Sequence, residues 1–130
     1  MTQEQKDLLL KDLSARLPYG VKGLVTFNGN HFMAAHHIED RTIDGNLYDR
    51  FAKFQDSWYD NVTIKPYLFP MSSMTEEQKE EFNSLMVKDS YDILYYTPKA
   101  FDFLYENHID FRDLIPMDLA IDATGLKNIY

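Results

Sequence analysis

Cysteine is absent from this 130-residue chain, so it can form neither a disulfide framework nor a thiolate-held metal site. Its core must then hold it together, and area scaling has folding bury roughly two-thirds of the unfolded surface at this size. No apolar run approaches the ~20 residues that cross a bilayer. The opening MTQEQKDLLLKD lacks the basic region and long apolar stretch of a signal peptide. A reducing cytoplasm is the expected compartment, with no membrane partner. Clustered basic residues are also missing. Thirteen Lys and Arg stand against twenty-one acidic residues, no two basic residues are adjacent, and the formal charge is −8. Direct binding to a phosphate backbone is therefore not expected. The five glycines are spread singly, so there is no phosphate-cradling loop and no nucleophile elbow.

What the chain does have is rings. Nine Phe, nine Tyr and one Trp make up 15% of it, implying an aromatic core with phenolic hydroxyls at its margins. The length suggests one domain.

Local signals order most of it. Thr2-Gln3-Glu4-Gln5 has the form of a capping box, and Leu10, Leu13 and Leu17 follow at helical spacing, widened by Leu9. Lys6, Asp7, Lys11 and Asp12 take the wet side of this helix, and Pro18 stops it. Val21 to Phe27 alternates like a strand, and Asn28-Gly29-Asn30 signals a hairpin returning over His31 to Ile38. Asp44-Gly45-Asn46 reads as a second turn. Leu47, Phe51, Phe54 and Trp58 then share a helical face, although so aromatic a stretch equally suits a strand.

Asp60-Asn61 turns the chain into Val62 to Phe69. Pro66 and Pro70 each remove a backbone donor, which predicts an edge strand and excludes the middle of a sheet. Thr75-Glu76-Glu77-Gln78 is a second capping box, with two carboxylates favoured by the helix dipole. That helix buries Phe82, Leu85 and Met86. Ser90 to Tyr96 reads as a strand, and Thr97-Pro98 starts a helix whose stripe is Phe101, Leu104 and Tyr105. Beyond Asn107-His108, apolar residues from Phe111 to Ile121 pack, Pro116 breaks any helix, and Gly125 marks a last turn.

Chemistry is harder to find. On a strand His36 and His37 point to opposite faces, and His31 lies about 20 Å from His37 at ~3.3 Å per residue. With no acidic residue at ligand spacing, no metal and no other cofactor is expected. His108 and Asp110 have the types of an acid–base pair. A helix C-terminus followed by an Asp cap explains them better, so no catalytic residue is assigned. Glu76, Glu77, Glu80 and Glu81 spread around a solvated helix face. Tyr91, Tyr95, Tyr96 and Tyr105 lack the interleaved basic residues that base stacking needs.

One surface is singled out. If Phe101, Leu104 and Tyr105 fill the core stripe, Phe103 faces another way, and a strand puts Tyr95 and Tyr96 on opposite faces. Tyr91, Tyr95, Tyr96 and Phe103 are therefore the candidate contact surface, for a protein partner or a second copy.

Three segments carry a resemblance. They are Ala15-Arg16-Leu17-Pro18-Tyr19-Gly20-Val21, then Ile64-Lys65-Pro66-Tyr67-Leu68 running on through Met71-Ser72-Ser73-Met74-Thr75-Glu76-Glu77. The third is His108-Ile109-Asp110-Phe111-Arg112-Asp113-Leu114-Ile115 followed by Leu119-Ala120. With them the chain resembles a family of uncharacterised small proteins encoded by gut anaerobic bacteria, their phages and mobile elements. The resemblance implies provenance, and no activity, cofactor or functional residue.

The expected architecture is one α+β domain. A small, mainly antiparallel sheet, built of the Val21–Ile38 hairpin and an edge strand, packs under three or four helices. The expected function is a non-enzymatic accessory protein acting by contact. Two alternatives are an acidic mimic of nucleic acid that inhibits a DNA-binding protein, and a small hydrolase using His108 and Asp110.

Overall fold

A computed structural model describes residues 1–27, 37–53 and 62–130. The architecture is α+β, with four helices, a mixed sheet and a separate two-stranded hairpin among the described residues. Helix α1 (Gln3–Arg16) starts at the expected capping box. The Thr2 hydroxyl accepts from the Gln5 amide at 3.1 Å, and the Gln5 side chain accepts from the Thr2 amide at 3.0 Å. Its inward face is Leu9, Asp12, Leu13 and Arg16, so Asp12 is buried rather than on the wet side. A short turn over Leu17–Tyr19 and a left-handed Gly20 lead into β1 (Lys22–Phe27).

β1 pairs antiparallel with β2 (His37–Thr42), Phe27 opposite His37 and Lys22 opposite Thr42. The described part of the return strand runs on to Thr42, past the expected end at Ile38, while 31–36 and the Asn28-Gly29-Asn30 turn fall outside the described residues. Ile43 anchors this register: it is buried, and its amide donates to the Val21 carbonyl at 2.8 Å. A slip of the β1–β2 register would draw Ile43 out of the core. Asp44 proves to be a helix cap, its carboxylate accepting from the Leu47 amide at 2.8 Å. Helix α2 (Gly45–Lys53) follows and buries Leu47 and Phe51; Phe54 and Trp58 lie outside the described residues.

β3 (Val62–Pro70) corrects the edge-strand expectation, since it sits inside the sheet order β2-β1-β3-β6. Its partners divide along its length. Val62 to Pro66 pairs antiparallel with β1, and Pro66, opposite Gly23, is the last rung of that ladder. Tyr67 and Leu68 pair parallel with β7 (Ile121–Asp122), and Phe69 and Pro70 with β6 (Ile109–Asp110). A missing donor therefore falls at the end of a ladder, where it costs little. Gly23 is needed here, because a Cβ would lie 2.7 Å from the Lys65 carbonyl oxygen.

The core has two parts. In the first, Leu9, Leu13, Leu47 and Phe51 of α1 and α2 cover Val25, Val62, Ile64 and Leu68 of the sheet, with Leu114 and Leu119. The second gathers Met74, Phe82, Ala100, Phe103, Leu104 and Ile109. Helix α3 (Glu76–Ser84) supplies Phe82, and its capping box forms as expected, Thr75 accepting from the Gln78 amide at 3.1 Å. Helix α4 (Pro98–Glu106) starts with the Thr97 hydroxyl accepting from Ala100.

A buried ion pair ties the two parts together. Arg16 is fully buried, donating through Nε to Asp12 at 2.7 Å and through its terminal nitrogen to the Ile109 carbonyl at 2.6 Å. Its guanidinium lies 5.4 Å from the Tyr105 ring centre and 5.8 Å from that of Phe111. Arg112 approaches the other Asp12 oxygen at 3.4 Å.

Candidate protein-contact surface

Between α3 and α4 the chain runs out and back. β4 (Met86–Lys88) pairs antiparallel with β5 (Leu94–Tyr96), so the strand expected over Ser90–Tyr96 covers only its last three residues. Asp89 makes the turn. Its carboxylate accepts the amides of Tyr91 at 2.8 Å and Ile93 at 3.0 Å, and the Tyr95 hydroxyl at 3.0 Å. These bonds, that from Ile93 foremost, hold its carboxyl below the usual range. Asp92 takes a left-handed conformation that Asp tolerates better than most residues.

Strand alternation sorts the side chains. Met86 and Tyr96 face the body, where Tyr96 meets Phe82 edge-on at 5.5 Å and Phe101 at 5.2 Å. Val87 and Tyr95, opposite each other, face away. Beyond Tyr96 the apolar residues of the hairpin are wet. Tyr91 is 83% exposed, and Val87, Ile93, Leu94 and Tyr95 are each about half exposed (51–54%). Tyr96 retains 38%.

Phe103 does not belong with them. It is 6% exposed and lies on Phe82 with ring centres 6.0 Å apart. α4 is rotated from the expected stripe, so Ala100, Phe103 and Leu104 point inward. Phe101 and Tyr105 stack at 6.4 Å along the half-buried margin, where Phe111 completes the row. Rings on three sides of one helix left its period ambiguous. Of the four expected surface residues the hairpin brings Tyr91, Tyr95 and Tyr96 together. Sequence reasoning missed Val87, Ile93 and Leu94; the Asp at position 89 between two apolar runs was the available signal.

No protein-family profile, curated protein or solved structure matches this chain.

The expected catalytic alternative can be placed too. Asp110 is buried and its carboxylate accepts the amides of Arg112, Leu114 and Ile115, at 3.3, 3.0 and 2.9 Å. It caps the following turn. The His108 ring stacks on Tyr130 at 3.5 Å and 8°, with Nδ1 buried and without a hydrogen-bond partner among the described residues. Burial first, then the charges of Arg16 and Lys22, lower its pKa to about 4. Burial raises the Tyr130 hydroxyl to about 12, and that group donates to the Tyr67 carbonyl at 2.6 Å. A cleft of about 540 Å³ opens beside this stack. Two of its polar walls are tied to backbone: Ser73 donates to the Pro70 carbonyl at 2.6 Å and Asn107 to that of Phe103 at 2.9 Å. Among the described residues no group of three His, Asp or Glu side chains is placed to hold a metal ion, and no helix is long and apolar enough to cross a membrane. His31 and His36 lie outside the described residues.

Proposed function

We propose that this protein works by protein–protein contact through the β4–β5 hairpin, as a non-enzymatic accessory protein of the cytoplasm. One observation carries the reading: six large apolar residues stand exposed within positions 87–96, on a two-stranded unit separate from the main sheet. A two-stranded hairpin is marginal by itself, and exposed apolar patches mark contact sites. Tyr is also the residue type that interfaces favour. The commitment of Asp110 to three backbone amides supports contact over catalysis. A phage or mobile-element origin remains part of this proposal, resting on the resemblance of the three segments alone.

The test is site-directed photo-crosslinking. A photoreactive phenylalanine analogue at position 91, irradiated in living cells, should give one discrete adduct. Ile93→Asp should abolish that adduct while thermal unfolding stays unchanged. If Ile93→Asp unfolds the monomer, the hairpin is a structural support and the reading fails.

A further inference from the structure

Resting on that reading, the kind of partner can be specified. Of the described strands that have another strand on one side only, β2 and β5 are furnished differently. β2 presents His37, Glu39, Asp40 and Arg41 within six residues. Charges of this kind keep a strand border from pairing with another chain. β5 presents Leu94, Tyr95 and Tyr96, with no charge and no proline.

The β5 backbone is set for pairing. The Asp89 amide donates to the Ile93 carbonyl at 3.1 Å, and antiparallel alternation then turns the amide of Tyr95 toward Val87. The N–H and C=O groups of Leu94 and Tyr96 consequently face away from β4. We propose that a second copy of this chain occupies this edge, β5 pairing antiparallel with its own equivalent about a two-fold axis at Tyr95. Leu94 of each copy then exchanges both backbone hydrogen bonds with Tyr96 of the other. The two Tyr95 rings meet at the close, non-hydrogen-bonded position on the outer face.

Charge and area suit a second copy. Each chain carries −8 overall, yet over residues 86–99 Lys88 and Lys99 balance Asp89 and Asp92, so the meeting surfaces do not repel. The exposed apolar side chains of the hairpin offer on the order of 600 Å² per copy. Covered in full on both copies, this would reach the lower limit for a stable interface, about 1,200 Å².

Sedimentation velocity of the full chain, from roughly 1 to 300 µM, tests the proposal. The unaltered protein should be a dimer at the upper end. Tyr95→Lys and Tyr95→Glu should each weaken association at least about tenfold by setting like charges on the axis. An equimolar mixture of the two should restore it. Leu94→Pro, which removes only an outward amide, should also give a monomer with its melting temperature little changed. A monomer throughout the range, a Tyr95→Lys dimer, or a mixture that fails to associate overturns self-pairing. None of these touches the contact reading, which falls only if hairpin substitutions unfold the monomer.

Discussion

The main sheet and the β4–β5 hairpin are built from the same aromatic-rich chain and end in opposite states. Around the sheet, apolar side chains are sealed under α1 and α2, and the exposed border strand β2 is charged along its length. In the hairpin, one ring of the strand pair, Tyr96, is tied into the body, while the tip carries Tyr91, Ile93 and Leu94 in water. The difference teaches where stability and contact are separated. Residues that fold the protein lie in the two packed clusters, whereas the hairpin is held by its Asp89 turn and by Tyr96.

Substitutions can break or sharpen that contrast, and the largest effect belongs to the junction of the two clusters. Arg16→Met leaves Asp12 buried with Arg112 alone opposite it, so a loss of about 3 kcal/mol is expected in denaturant unfolding. A loss below about 1 kcal/mol would mean that the ion pair does not join the two clusters.

Acid comes next. His108 has a folded pKa lowered to about 4 against an ordinary 6.5, so the unfolded chain binds its proton first. Its contribution is complete above pH 6.5 and is lost as pH falls from 6.5 toward 4. On the order of 2 kcal/mol should disappear across that window. His108→Phe, which keeps a ring against Tyr130, should flatten the slope. An unchanged slope would place the acid sensitivity elsewhere.

Thr75→Ala removes the cap of α3, the helix under the base of the hairpin. Unfolding should register a loss of about 1 kcal/mol. No loss would show that the cap, although formed, is replaceable by water.

The smallest expected effect is at the hairpin tip. Tyr91→Ser should move stability by less than about 0.5 kcal/mol, because the ring is almost wholly in water. Calorimetry that finds a loss like that of Arg16→Met would erase the contrast between sealed sheet and open hairpin.

Contacts within four residues were legible in the amino-acid sequence alone. The Thr2, Thr75 and Thr97 caps require only a hydroxyl and an amide three positions on, and all three form as expected. The α+β class followed from the same local periods. Tertiary structure decided what depends on distant partners. Arg16 is buried because Ile109, ninety-three residues away, offers a carbonyl and Asp12 turns inward with it. β3 enters the sheet because β1, β7 and β6 share its length, which its prolines could not announce. Phe103 faces inward because Phe82 lies there, and a helix with rings on three sides has no period to choose between them. Burial is a property of the assembled surfaces, so a sequence pattern specifies it only where one face is plainly apolar and the other plainly charged.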